Sequence, residues 1–137
     1  MKLITDQENL AGKIVLLRLD LNVPLKNNSV ADETRIDKII PVINFLLNKK
    51  TKILILSHVG RPKGNKVSEL SLNPICLSLE KKIKKKIKLV TTDLYELEKD
   101  KLFLDKNTEI AFLENIRFYR EEEINDEKFS KQLASLG

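Results

Sequence analysis

Lys13-Ile14-Val15-Leu16-Leu17-Arg18-Leu19 holds a short apolar run, β-branched at its start and without a polar break from Ile14 to Leu17. That pattern marks a strand buried on both faces, as in a parallel sheet, because a strand with one wet face would alternate. Lys52 to Leu56 repeats it in Ile53-Leu54-Ile55-Leu56. Between the two, Thr34 to about Lys49 sets Ile36, Ile39, Ile40, Ile43, Leu46 and Leu47 at helical spacing. Asp32 is the candidate N-cap of this helix. Pro41 is expected to kink it, or to part its first turn from the rest. Ser57 to Ser71 reads as a polar loop, and about Leu72 to Lys82 as a shorter helix with Pro74 in its first turn. Ile87 to Val90 and Glu109 to Leu113 read as a third and a fourth strand, Asp93 to Leu104 as a short helix and a loop, and Asp126 to Leu136 as a closing helix. Strands alternating with helices predict an α/β fold: a doubly wound, mostly parallel, Rossmann-like sheet in three layers, with helices on both faces and right-handed crossovers.

At 137 residues the chain has the length of one domain. The net charge of +5 raises nucleic acid as a partner, yet 20 acidic residues are interspersed among 25 basic ones. Aromatic residues make up 5% with no Trp, which leaves few platforms for stacking bases. The richest basic run, Lys81 to Lys88, reads as a solvated helix end running into a strand, where lysines complement the helix dipole. No nucleic-acid partner is therefore expected. Cys76, the one cysteine, lies in an apolar stretch with no Cys or His at metal-ligand spacing and reads as a small core residue. The first ten residues are too polar for a signal peptide, and no apolar run approaches membrane-spanning length. A reducing, cytoplasmic setting without a membrane partner is the expectation.

Only five of the basic residues are arginines: Arg18, Arg35, Arg61, Arg117 and Arg120. Where lysine supplies generic surface charge, retained arginine suggests a need for the planar fork that grips carboxylate or phosphate through paired hydrogen bonds. The alternative use of such arginines is to hold buried carboxylates. The sole histidine, His58, lies three residues before Arg61. Ligands of open parallel sheets bind beyond the carboxyl ends of the strands. The predicted strands run into Asp20-Leu21-Asn22-Val23-Pro24, Ser57-His58-Val59-Gly60-Arg61-Pro62 and Glu114-Asn115-Ile116-Arg117-Phe118, and Arg35 opens the helix after the first. Neither Gly-x-x-x-x-Gly-Lys-Ser/Thr nor Gly-x-Gly-x-x-Gly occurs, and no Ser/His/Asp set offers a convincing nucleophile. A basic rim without an acid–base pair suits a ligand whose nucleophile is already ionised, as in phosphoryl transfer to a carboxylate.

Four blocks in order, Arg18 to Pro24, Asp32 to Ile36, Leu56 to Gly64 and Leu113 to Phe118, resemble phosphoglycerate kinase. The resemblance spans essentially the whole chain and matches the front part of that family's N-terminal, substrate-binding lobe. It implies that Asp20 and Asn22, with Leu21 between them, meet the hydroxyl and carboxylate end of 3-phosphoglycerate. It implies that His58, Arg61 and Arg117, with Val59 and Gly60, hold the substrate's phosphate, and that Arg35 binds substrate and is catalytic, neutralising charge on the acceptor carboxylate and the phosphoryl group in flight. Arg18 reads as support and Arg120 as surface charge. Leu21 and Val59 are mild apolar departures from the family pattern. After Gly137 the family continues with an Asn-Asp-Ala-Phe-Gly stretch, a further arginine, a hinge and a second lobe that binds Mg-ATP or Mg-ADP. Residues 1–137 are thus expected to form a truncated substrate-binding domain of a monomeric parent, an incomplete sheet without turnover of its own. The alternative is a non-catalytic anion-binding α/β module.

Overall fold

A computed structural model describes all of residues 1–137. Four parallel strands form the main sheet: β1 (Ile14–Arg18), β4 (Lys52–Leu56), β5 (Ile87–Val90) and β6 (Ile110–Leu113), in the order β1-β4-β6-β5. Register is set by Ile14 opposite Lys52, Ile55 opposite Phe112 and Val90 opposite Leu113. A small antiparallel hairpin, β2 (Leu25–Lys26) and β3 (Ser29–Val30), follows β1. The helices are α1 (Thr34–Asn48), α2 (Asn73–Ile83), the single turn α3 (Arg120–Glu123) and α4 (Glu127–Ala134).

The chain moves outward from β1 to β4 to β5, then steps back to β6 between its neighbours. With one crossover hand, forward and backward steps must cover opposite faces. One core accordingly packs Ile36, Ile43 and Leu46 of α1 and Ile75, Cys76 and Leu79 of α2 against Ile53, Ile55, Ile110 and Phe112. The other sets Leu54, Leu56, Ala111 and Leu113 against Leu94, Leu102, Phe129 and Leu136. This is the expected three-layer α/β arrangement, with two 3₁₀ turns (Leu94–Glu96, Lys99–Lys101) where a short helix was expected. No helix is long and apolar enough to cross a membrane.

Burial on both faces holds for β4 and β6, whereas β1 is only half-buried, because it is an edge strand with no neighbour on its outer side. Pro41 neither breaks nor splits α1, which runs as one helix. The residue whose carbonyl loses its partner, Asp37, is exposed, as Pro41 is, so water can satisfy it. Asp32 Oδ1 accepts from the Thr34 N–H at 2.9 Å and caps the helix as expected, one residue outside its assigned flank. Cys76 is buried, and burial pushes its thiol pKa up to about 12, which leaves it an inert core residue. Lys81 to Lys88 spans the end of α2 and the start of β5; within it Lys82 pairs with Glu33 and Asp37, and Lys85 with Glu109.

Candidate anion-binding site

Because β1, β4 and β6 are adjacent, their carboxyl ends deliver the three motif loops side by side. Polar groups, of which Ser57 and Asn115 are buried, then fix the loops to one another. Ser57 Oγ accepts from the Leu21 N–H at 3.1 Å and donates to the Leu19 carbonyl at 2.8 Å. Asn22 Oδ1 accepts from the Gly60 N–H at 3.1 Å. Gly60 has φ +65°, and an added Cβ would meet Leu70 Cδ2 at 2.6 Å, so a side chain here would be strained and would displace Leu70. Asn115, fully buried, donates through Nδ2 to the carbonyls of Val59 and Leu70 at 2.8 and 2.9 Å, while its Oδ1 accepts from the Arg117 N–H at 3.1 Å. Glu114 accepts from Ser71 Oγ, the Leu72 N–H and the Asn115 N–H, joining the third loop to the start of α2.

On this frame the charged groups gather. Arg35 Nη1 meets Asp20 Oδ1 at 2.6 Å, both side chains largely exposed. Arg117 Nε donates to Glu122 Oε2 at 3.3 Å, and Arg18 Nη2 pairs with the other oxygen of the same carboxylate. Arg61 is exposed, and neither it nor Arg120 enters an ion pair. His58 is half-buried; burial lowers its pKa first, the Arg117 guanidinium lowers it further, and Glu122 and Asp20 oppose them. The rim therefore holds guanidinium forks beside an imidazole whose charged form is disfavoured.

Asp20, Asn22, Arg35, His58, Gly60, Arg61 and Arg117 all lie on the three joined loops or at the start of α1. Leu21 and Val59 belong to the same loops, but their side chains are in the core and the Leu21 N–H is used by Ser57. They shape the rim from beneath. Glu122, only 5% exposed, is the participant the sequence did not signal: it sits in a run of three glutamates that reads as solvated surface. Arg18 and Arg117 thus hold a buried carboxylate, while Arg61 enters no ion pair.

An α/β sheet that carries guanidinium forks beyond its carboxyl edge places them where ligands of open parallel sheets bind. The phosphoglycerate kinase family model matches residues 4–137, and the chain belongs to that family. It is 43% identical to a phosphoglycerate kinase of Dictyoglomus turgidum over 129 residues, 94% of this chain and 32% of the relative. It is 44% identical to that of a Wolbachia pipientis strain over 125 residues, 91% of this chain and 31% of the relative. The solved phosphoglycerate kinase of Coxiella burnetii superposes with TM-score 0.82 at 34% identity, over 97% of this chain and 32% of that one. The chain spans about a third of the length of the curated relatives it matches.

Proposed function

We propose that residues 1–137 are the 3-phosphoglycerate-binding lobe of a phosphoglycerate kinase. The whole enzyme moves a phosphoryl group reversibly between ATP and 3-phosphoglycerate, giving ADP and 1,3-bisphosphoglycerate. The observation that carries this reading is the junction of three neighbouring strand ends, which puts Arg35, His58, Arg61 and Arg117 on one rim.

In this reading the substrate's phosphate lies against His58, Arg61 and Arg117, and its hydroxyl and carboxylate end against Asp20 and the free amide NH₂ of Asn22. One carboxylate oxygen attacks the γ-phosphorus of ATP; that P–O bond forms as the bond to the ADP oxygen breaks. No proton needs to move, so the lobe contributes positioning and charge. Arg35 is the mobile cation. Its partner Asp20 is exposed, so the pair is weakly held in water and can exchange for the reacting groups. Nucleotide and magnesium are assigned to a second lobe of the whole enzyme, and residues 1–137 bind substrate without turning it over.

Arg35→Ala in a two-lobed enzyme carrying this lobe should lower kcat by about a hundredfold with a smaller change in KM, because its charge matters most where charge develops. Steady-state kinetics in both substrates checks this. A change confined to KM would return Arg35 to plain substrate binding.

A further inference from the structure

A hollow of about 260 Å³ lies at the carboxyl ends of β5 and β6, beside the loop that carries Arg117 and lined by none of the arginines. Val90, Leu113, Ile116 and Phe118 line it together with Phe129 and Leu133 of α4. A cavity of about 150 Å³ with such walls already admits a benzene ring. Water there finds few partners, so displacing it with an apolar group is favourable.

The polar groups at the hollow choose the ligand's charge. Glu114 lines it, but both carboxylate oxygens already accept from Ser71, Leu72 and Asn115. The Tyr119 hydroxyl oxygen accepts from the Leu94 N–H at 2.7 Å. Lys66 also lines it and pairs with no carboxylate anywhere in the chain. The exposed Thr91 and Thr92 add hydroxyl donors at the mouth. Apolar walls, a saturated acid and an unpaired ammonium describe a complement to one kind of molecule. We propose that this hollow is a second ligand site, for a small apolar molecule bearing one carboxylate, lined by none of the rim's arginines and independent of the function assigned to that rim.

The test is a titration of the 137-residue chain with 3-phenylpropionate and with its neutral counterpart 3-phenylpropanol, followed by methyl NMR. The acid should shift the methyl signals of Leu94, Leu113, Ile116 and Leu133, and should bind more tightly than the alcohol. Lys66→Met should weaken the acid about tenfold, the loss of one charge-assisted contact, and leave the alcohol unchanged. Thr92→Trp, at an exposed position on the mouth, should block both. Absence of shifts at those methyls with either probe would overturn the site, as would shifts that survive Thr92→Trp. Equal affinity for acid and alcohol would overturn the assigned chemistry.

Discussion

Glu122 places a negative charge, 5% exposed, within the rim that is read as binding a doubly anionic substrate. Two effects compete when it is removed. Loss of the charge favours anions, while loss of the tether frees the Arg117 side chain, whose immobilisation on binding costs about 1 kcal/mol. Arg18 pairs with the same carboxylate and offsets much of its field, so the tether should win. Glu122→Ala should therefore weaken 3-phosphoglycerate binding about fivefold by calorimetry; tighter binding would show that Glu122 acts as a competing anion. His58 gives a pH signature. Its folded pKa is lowered from 6.5, chiefly by burial, so the unfolded chain binds the proton first as pH falls. This group's contribution to stability should be level above that value and decline below it until the folded ring also titrates. A bound phosphate dianion reverses the local field. The His58 ring signals should titrate at higher pH with 3-phosphoglycerate than without, and an unmoved midpoint would take His58 out of the phosphate site.

At the scale of elements, Asn115 does the joining that the individual strands cannot. Asn115→Ala leaves the Val59 carbonyl without its partner in a buried setting, and the Leu70 carbonyl and the Arg117 N–H in a partly buried one. The cost should be about 3 kcal/mol in urea unfolding, and a loss below about 1 kcal/mol would mean that water replaces the side chain. The strands were legible because a continuous apolar run has few other uses: β4 and β5 have the bounds their residues suggest. The hairpin at Leu25–Val30 was not, since its strands have two residues each and its turn rests on Asn27 and Asn28 adopting φ of 51° and 58°. The rim was legible because its residues follow strands directly. Its ties were less so, because Ser57, Asn115 and Glu122 are polar residues whose burial depends on partners far along the chain.

For the molecule as a whole, the sheet ends in two edge strands, β5, which pairs only with β6, and β1. β1 pairs only with β4, and its outer side carries unpaired backbone groups. Gly137 lies against this strand, where an added Cβ would come within 2.7 Å of Leu16 Cγ and 3.4 Å of the Ile14 carbonyl oxygen. The arginine rim sits above the half-buried edge strand β1 and the two buried central strands β4 and β6. Whether the lobe holds its substrate in this form is the central claim. It is tested most directly by titrating 3-phosphoglycerate into the isotopically labelled chain, with Mg-ATP as control, and following two-dimensional NMR spectra. The account predicts dispersed peaks, with 3-phosphoglycerate shifts centred on Asp20 to Asn22, Arg35, His58 to Arg61 and Arg117, and no comparable response to Mg-ATP. Shifts spread along Lys81 to Lys88 with both ligands alike, or a dispersed spectrum that ignores 3-phosphoglycerate, would contradict it.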